Sequence, residues 1–145
     1  MIKQTEYEWL YLYGAVCPST GASFNYLMPE CNTDGMNLFL QKFSLEIPAN
    51  WHVALVLDNA GWHHSRRLKV PANLSLVHLP PYSPELNPIE RMWLYLRHHY
   101  LCNRVYRDSE ALYAAATDAV RRFTVDPSRV KSVCRCDYIP SSYLN

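Results

Sequence analysis

The chain has 145 residues, of which 49% are hydrophobic and 19% charged, and its formal net charge is +1. This length suits one domain, and the composition is typical of a folded globular protein rather than a disordered one. No apolar stretch reaches the roughly 18 residues that a membrane span needs, and the N-terminus has no apolar signal core. We therefore expect a cytoplasmic protein that does not associate with membranes.

The charges are distributed unevenly along the chain. Residues 1–58 contain two basic and six acidic residues, a balance of −4, whereas residues 59–145 contain twelve basic and seven acidic residues, a balance of +5. A basic second half is compatible with a polyanion such as nucleic acid as partner. Solvated helix faces would have the same composition, so both interpretations stay open at this point.

The cysteine pattern does not indicate a disulfide framework or a zinc site. The five cysteines are an odd number, and three of them are widely scattered. Cys134 and Cys136 are separated by a single residue, which is closer than the spacing of a zinc knuckle. We expect reduced thiols, as is usual inside cells.

The first half of the chain predicts a hairpin, a helix and a buried strand. Two apolar and aromatic segments flank the turn-forming residues 18–21, which predicts a hairpin over residues 7–27. Apolar residues at helical spacing predict an amphipathic helix over 33–43. The continuous apolar run at 52–57 is typical of a central strand that is covered on both faces.

The second half predicts one more strand, a stiff connector and two helices. The strand spans 74–79, and the four prolines of the segment 80–88 predict an extended, rigid connection. We expect a helix over 88–100 with Asn87 as its N-cap and Pro88 in its first turn, then a second helix over 108–123. The tail from Thr124 has weak signals. This order of elements predicts a single α/β domain in which helices pack against a mixed sheet.

Two carboxylates occupy the boundaries of predicted elements. Asp58 ends the most apolar strand, and Glu90 lies in the first turn of the helix that follows the proline-rich connector. Each has a purely structural explanation, because Asp58 could cap a short helix and Glu90 could complement a helix dipole. Brought together, two carboxylates suit divalent metal ions, and such ions suit phosphodiester chemistry.

Histidine and basic residues surround these two acids in the sequence. His63 and His64 are adjacent and cannot share a helix face, so at most one of them would be a metal ligand, and we expect His63 to contact phosphate or to donate to a ligand. Basic side chains that cluster in sequence around the two acids could neutralise backbone phosphates without reading bases: Arg66, Arg67, Lys69, Arg91 and Arg97, with Arg104 and Arg107 nearby. No motif of a sequence-specific DNA reader is visible.

The segments 58–63 (DNAGWH) and 81–90 (PYSPELNPIE) together resemble the catalytic domain of DDE-superfamily transposases. The most similar branch is the bacterial insertion-sequence relatives of the Tc/mariner elements, and the resemblance extends from about Tyr7 to about Val133. It implies a ribonuclease-H-like fold that cleaves DNA at transposon ends and joins the freed 3′ hydroxyl to target DNA.

The resemblance also assigns roles to individual residues. It matches Asp58 and Glu90 to the second and third acids of a triad that holds two Mg²⁺ or Mn²⁺ ions. Asn59, His63 and Asn87 would contact these ligands or phosphate.

The sequence departs from the family at the first acid of the triad, which belongs to the first, central strand. Glu6, Glu8 and Asp34 do not occupy that context. We therefore expect an N-terminally truncated catalytic domain that lacks this strand and is inactive by itself. Such a chain would borrow a strand from an upstream transposase polypeptide or from a homodimer partner, because its sheet edges carry unpaired backbone groups.

Three functions stay open from the sequence. The first is a transposase catalytic fragment, and the second is an inactive remnant that binds DNA or a full-length transposase without cutting. The third is a ribonuclease-H-like nuclease that acts on RNA or on hybrid duplexes. The segment 80–90 argues against the third, because it resembles transposases.

Overall fold

The structure is a computed structural model and describes residues 10–58, 66–80, 87–102 and 105–135. The chain is a mixed α/β protein whose elements occur in the order β1 (Tyr11–Val16), β2 (Ser23–Met28), α1 (Thr33–Glu46), β3 (Val53–Leu57), β4 (Leu74–His78), α2 (Ile89–Leu96), a π-turn (Arg97–Leu101), α3 (Ser109–Thr124) and α4 (Pro127–Val133). Within the described residues, no helix is both long and apolar enough to cross a membrane.

These elements belong to two compact units. The hairpin–helix unit comprises Met1–Pro29 and Pro88–Asn145, and the parallel-strand unit comprises Glu30–Asn87. Each unit contains one two-stranded sheet among the described residues.

The parallel-strand unit pairs β3 with β4 in parallel, from Val53 opposite Leu74 to Leu57 opposite His78. Helix α1 begins where the Asn32 side chain accepts a hydrogen bond from the Gly35 backbone N–H at 2.8 Å, and this capping satisfies one of the free donors of the first turn. Since parallel strands share a direction, β3 and β4 end at the same edge of their sheet.

Side-chain amides tie α1 to the segment between β3 and β4. Asn37 donates to the Arg67 carbonyl at 3.0 Å and accepts from the Lys69 backbone N–H at 2.7 Å. Asn73 donates to the Ser44 carbonyl at 3.0 Å. These contacts hold the basic segment that follows β3 against the helix.

The hairpin–helix unit begins with the antiparallel pair β1 and β2, in which Tyr11 lies opposite Met28 and Val16 opposite Ser23. The connecting turn is closed by Cys17, whose N–H donates to the Ala22 carbonyl and whose carbonyl accepts from Gly21. Gly21 has φ of +77°, a backbone conformation that glycine adopts without the steric penalty of a Cβ atom.

Helices α2, α3 and α4 share one apolar core with a face of β1. Its buried members come from all three helices or directly follow one: Met92, Leu96, Ala119, Phe123, Val130 and Cys134. Leu12 and Val16 of β1 pack against this core from the hairpin. Burying apolar side chains from four elements is the main force that holds the unit together.

The element boundaries differ from the sequence predictions at a few points. The strands β3 and β4 are each one residue shorter than predicted, α1 extends past residue 43 to Glu46, and residues 7–9 of the predicted hairpin lie outside the described residues. Helix α3 begins after its N-cap Asp108, whose side chain accepts from the Ala111 backbone N–H.

The helix predicted over 88–100 is the largest difference. Helix α2 begins at Ile89, and Pro88 occupies the N-cap position that the sequence predicts for Asn87. The α-helix ends at Leu96 and continues as the wider π-turn. There the His99 ring stacks on Tyr95 with 3.9 Å between ring centroids, and the Cys102 thiol donates to the His98 carbonyl.

Helix α4 was not predicted from the sequence. Asp126 is its N-cap and accepts from the Ser128 backbone N–H at 3.0 Å, and Pro127 occupies the first turn. Proline suits this position because its missing N–H would be unsatisfied there anyway. The pair Asp126-Pro127 was thus the signal for this helix.

We predict that Gly21→Ala destabilises the protein. A Cβ atom at Gly21 would collide with the backbone of Pro127 at the start of α4, and alanine would also be strained at positive φ. Strain of this kind costs about 1–3 kcal/mol, which urea unfolding would measure as a lower free energy of unfolding. Gly35→Ala in α1, where φ is not positive, is the matched control and is expected to leave stability equal or higher. Equal effects of the two substitutions would contradict the packing of the turn on α4.

Candidate active site

Asp58 directly follows β3 in the parallel-strand unit and is half-buried. The strand end next to it is held in place because the Leu57 carbonyl accepts a hydrogen bond from the Leu79 N–H at 2.8 Å. Asp58 therefore lies at the carboxyl edge of a short parallel sheet, a common position for ligand-binding residues in α/β proteins. Asn59 and His63 lie outside the described residues.

The proline-rich connector leaves from the same edge. Strand β4 ends at His78, and Leu79 and Pro80 follow it in the direction shared with Asp58. Leu79 is buried and anchors the start of the connector. Residues 81–86 of the predicted rigid connector lie outside the described residues.

Glu90 lies in the first turn of α2 and is half-buried. The first turn of a helix has unsatisfied N–H groups and a partial positive charge, which stabilise a carboxylate there. The structural explanation for Glu90 therefore stays open beside the catalytic one. Asn87, two residues before the helix, is also half-buried.

The first turn of α2 packs closely on the hairpin at Gly14 of β1. A Cβ atom on Gly14 would lie 3.1 Å from Ile89 Cδ1 and 2.7 Å from Asn25 Oδ1. A glycine in an otherwise aromatic and aliphatic strand indicates that another element approaches closely, and this signal was present in the sequence. Since Ile89 precedes Glu90, this contact sets the position of the carboxylate within its unit.

The two carboxylates belong to different units, so their pairing at one metal centre stays a prediction. Within the described residues, no group of three or more His, Cys, Asp or Glu side chains is placed to hold a metal ion. Asp58 and Glu90 have oxygen donors, the type that Mg²⁺ and Mn²⁺ prefer, so the chemistry of the donors fits such ions.

Within the described residues, the basic side chains singled out in the sequence are exposed, and Arg104 lies outside these residues. Arg66, Arg67 and Lys69 belong to the parallel-strand unit, and Arg91 and Arg97 to α2 and the π-turn of the other unit. The backbone bonds that Asn37 makes with Arg67 and Lys69 order this segment without using the charged groups. These side chains are positioned where they could contact a polyanion.

Comparison with known proteins identifies relatives of the chain. A family model described as DDE superfamily endonuclease matches residues 2–113. An uncharacterized protein of Sinorhizobium fredii (strain NBRC 101917 / NGR234), y4pE/y4sA, is 37% identical over 125 residues, which are 86% of this chain and 93% of the relative. No solved structure matches significantly.

We predict that Gly14→Ala destabilises the hairpin–helix unit by about 1–3 kcal/mol, the usual cost of overpacking. Ile89→Val removes the Cδ1 atom that the new methyl group would meet, so the double variant should recover part of this loss, while the clash with Asn25 stays. Urea unfolding of the wild type, both single variants and the double variant gives the coupling energy. Strictly additive effects would show that Gly14 and Ile89 do not determine each other's position.

Proposed function

Because the chain belongs to the DDE superfamily of endonucleases, we propose that it is the catalytic part of a DNA transposase with a ribonuclease-H-like fold. The observation that carries this proposal is the family match, which spans both Asp58 and Glu90. The position of Asp58 at a strand end and of Glu90 at a helix start supports it, since both are half-buried at element boundaries. We also propose that the protein derives from an insertion sequence and is located in the cytoplasm.

We assign the binding of divalent metal to Asp58 and Glu90. When bound, a pair of Mg²⁺ or Mn²⁺ ions activates a nucleophilic oxygen and stabilises the leaving oxygen of a phosphodiester. The protein's part is to hold its carboxylates on elements that packing keeps rigid, which the Gly14 contact does for the Glu90 turn. Asn59, His63 and Asn87 are proposed to orient these carboxylates or to donate to a phosphate oxygen.

Exposed cations hold the DNA in this proposal. Arg66, Arg67, Lys69, Arg91 and Arg97 would contact backbone phosphates and release condensed counterions, which strengthens binding without base readout. The substrates are transposon ends and target DNA.

The first acid of the family triad has no assigned residue in this sequence. We propose that an upstream transposase polypeptide supplies it on a strand, whereas a second copy of this chain in a homodimer would provide a pairing edge but not the acid. Within the described residues β3 pairs with β4 alone, so the other edge of β3 offers backbone donors and acceptors to such a strand.

We predict that Asp58→Asn and Glu90→Gln each reduce metal-dependent DNA cleavage by roughly 100-fold or more, because a neutral amide is a poor ligand for a hard cation. The measurement is nicking of supercoiled plasmid in Mg²⁺ or Mn²⁺. It uses the chain alone and the chain joined to the polypeptide encoded immediately upstream. Direct Mn²⁺ titration of the chain provides a second readout, in which both variants should bind the ion more weakly.

Two variants serve as matched controls. Glu110→Gln removes an acid from the first turn of α3, as Glu90→Gln does in α2, and Asp34→Asn does so in α1. Cleavage and Mn²⁺ binding should survive both control substitutions. Full activity of Asp58→Asn or Glu90→Gln would show that the metal assignment is wrong. An equal loss of activity in the control variants would indicate that Glu90 only stabilises the first turn of its helix.

The second candidate function is DNA binding without cutting. It is favoured because the motifs of this sequence match only two of the three acids of the family triad. In that case the native chain binds duplex DNA in a salt-sensitive manner and does not nick it in the presence of Mg²⁺ or Mn²⁺. The Asp58→Asn variant is then expected to bind DNA as tightly as the native chain. Absence of binding at low salt would contradict it. Cleavage of RNA–DNA hybrids in preference to DNA would instead favour the third candidate, a nuclease that acts on hybrids.

A further inference from the structure

The π-turn at the end of α2 places one aromatic ring on another. The His99 ring lies on that of Tyr95, with 3.9 Å between the ring centroids and 12° between the ring planes. Residues four apart overshoot one turn of an α-helix, and the π-turn, which has more residues per turn, reduces this overshoot. The two rings can therefore lie nearly parallel, one above the other. Single π-turns within α-helices occur frequently at functional sites.

Tyr95 anchors this stack in the apolar core. Its ring centroid lies 5.2 Å from that of Phe123, which is fully buried, and 6.2 Å from that of Tyr100. His99 is exposed, and within the described part of the chain its one ring contact is with Tyr95. The imidazole ring thus has one face held by the protein and the other left for a ligand. A flat ring supported in this way is a rigid stacking surface.

Cations accompany the stack. Arg91 is exposed and lies four residues before Tyr95 in α2, the spacing that places side chains on one face of a helix. Arg97, the first residue of the π-turn, is also exposed. Among the described residues, neither arginine forms an ion pair with a carboxylate. Residues 91–107 contain four arginines and no acidic residue, so their own segment does not neutralise this charge.

The simplest explanation of the stack is local. Side chains four residues apart stabilise a helix when they contact each other, and this pair could support the irregular end of α2. That explanation accounts for the contact of the rings, but it does not require an exposed outer ring with arginines around it. Exposed aromatic rings beside cations are the combination that binds single-stranded nucleic acid, because bases stack on the rings while cations contact the phosphates.

We propose that the Tyr95–His99 stack and Arg91 bind an unpaired nucleotide of DNA, with the base stacked on His99 and a neighbouring phosphate on the Arg91 guanidinium. The inference rests on the proposed function for its partner, and it adds a preference for DNA with unpaired bases over intact duplex. Bases inside a duplex already stack on each other and cannot use the platform. Every base has a π-face, so the preference is independent of sequence.

The test compares three forms of DNA by fluorescence anisotropy in EDTA. The probes are a labelled blunt duplex, the same duplex with a short unpaired 3′ overhang, and that duplex with an abasic overhang. We expect the wild type to bind the normal overhang at least about fivefold more tightly than the other two probes, because one stacked base contributes roughly this much or more. Equal Kd values for the normal and the abasic overhang would overturn the proposal, since the surface would then recognise charge alone.

Substitutions of His99 separate stacking from other effects. His99→Ala should remove the preference for the normal overhang, and His99→Phe, which keeps a flat ring, should retain it. The matched control is His98→Ala at the neighbouring exposed histidine, and it should bind like the wild type. Equal losses in His99→Ala and His98→Ala, or a loss in His99→Phe, would overturn the proposal. Circular dichroism of each variant verifies that the helices are intact.

The phosphate contact of Arg91 has its own readout. Arg91→Gln should reduce the slope of log Kd against log salt for the overhang probe by about 0.7, the contribution of one phosphate contact on a single strand. The matched control is Arg107→Gln, which removes the same charge from the same unit at an exposed arginine already paired with Asp108 at 3.2 Å. An unchanged slope in Arg91→Gln, or an equal reduction in the control, would overturn the role of Arg91.

The outcome is separable from that of the proposed function, because EDTA prevents metal-dependent cleavage. A chain that does not nick DNA but still prefers the normal overhang supports this inference. A wild-type chain that binds all three probes equally overturns this inference alone, whereas a wild-type chain that binds no DNA at low salt overturns both proposals.

Discussion

The close approach of β1 to the first turn of α2 is the contact on which the hairpin–helix unit depends. A side chain at Gly14 would crowd it, because a Cβ atom there would lie 2.7 Å from Asn25 Oδ1 and 3.1 Å from Ile89 Cδ1. The same constraint returns at the hairpin turn, where Gly21 lies against the first residue of α4. Two glycines therefore let one hairpin pack directly on helices from the far end of the sequence, and the first of them positions the turn that carries Glu90.

A second constraint acts in the parallel-strand unit. Parallel pairing of β3 with β4 makes both strands end at one edge, where Asp58 and the start of the proline-rich connector lie together. Asp58 is thus placed by the backbone geometry of the strand that it follows. Rigid placement matters for metal chemistry, because a carboxylate that is held in position needs no reorganisation when the ion binds.

Electrostatics divides the basic residues into two groups. Arg122 and Arg129 are used inside the protein, one in an ion pair and the other in hydrogen bonds that anchor α4. Arg91 and Lys131 point outward without carboxylate partners among the described residues. Uncompensated charge on a rigid surface favours an anionic partner, whereas exposed and already paired cations contribute little to either stability or binding.

The sequence by itself determined the elements whose signal is local. Apolar spacing located α1, α3 and the strands β3 and β4 to within a few residues, and the motifs around Asp58 and Glu90 identified the family. The apolar run of β3 predicts a strand covered on both faces, but in the structure Ala54 is exposed and Leu57 is its one buried residue. Only the tertiary structure decided the close contact of Gly14 with Ile89, the π-turn and the docking of α4. These depend on residues far apart in the chain. Helix α4 is too short for a clear periodic pattern, and it is stabilised by burying Val130 and Cys134 in a core built by other elements.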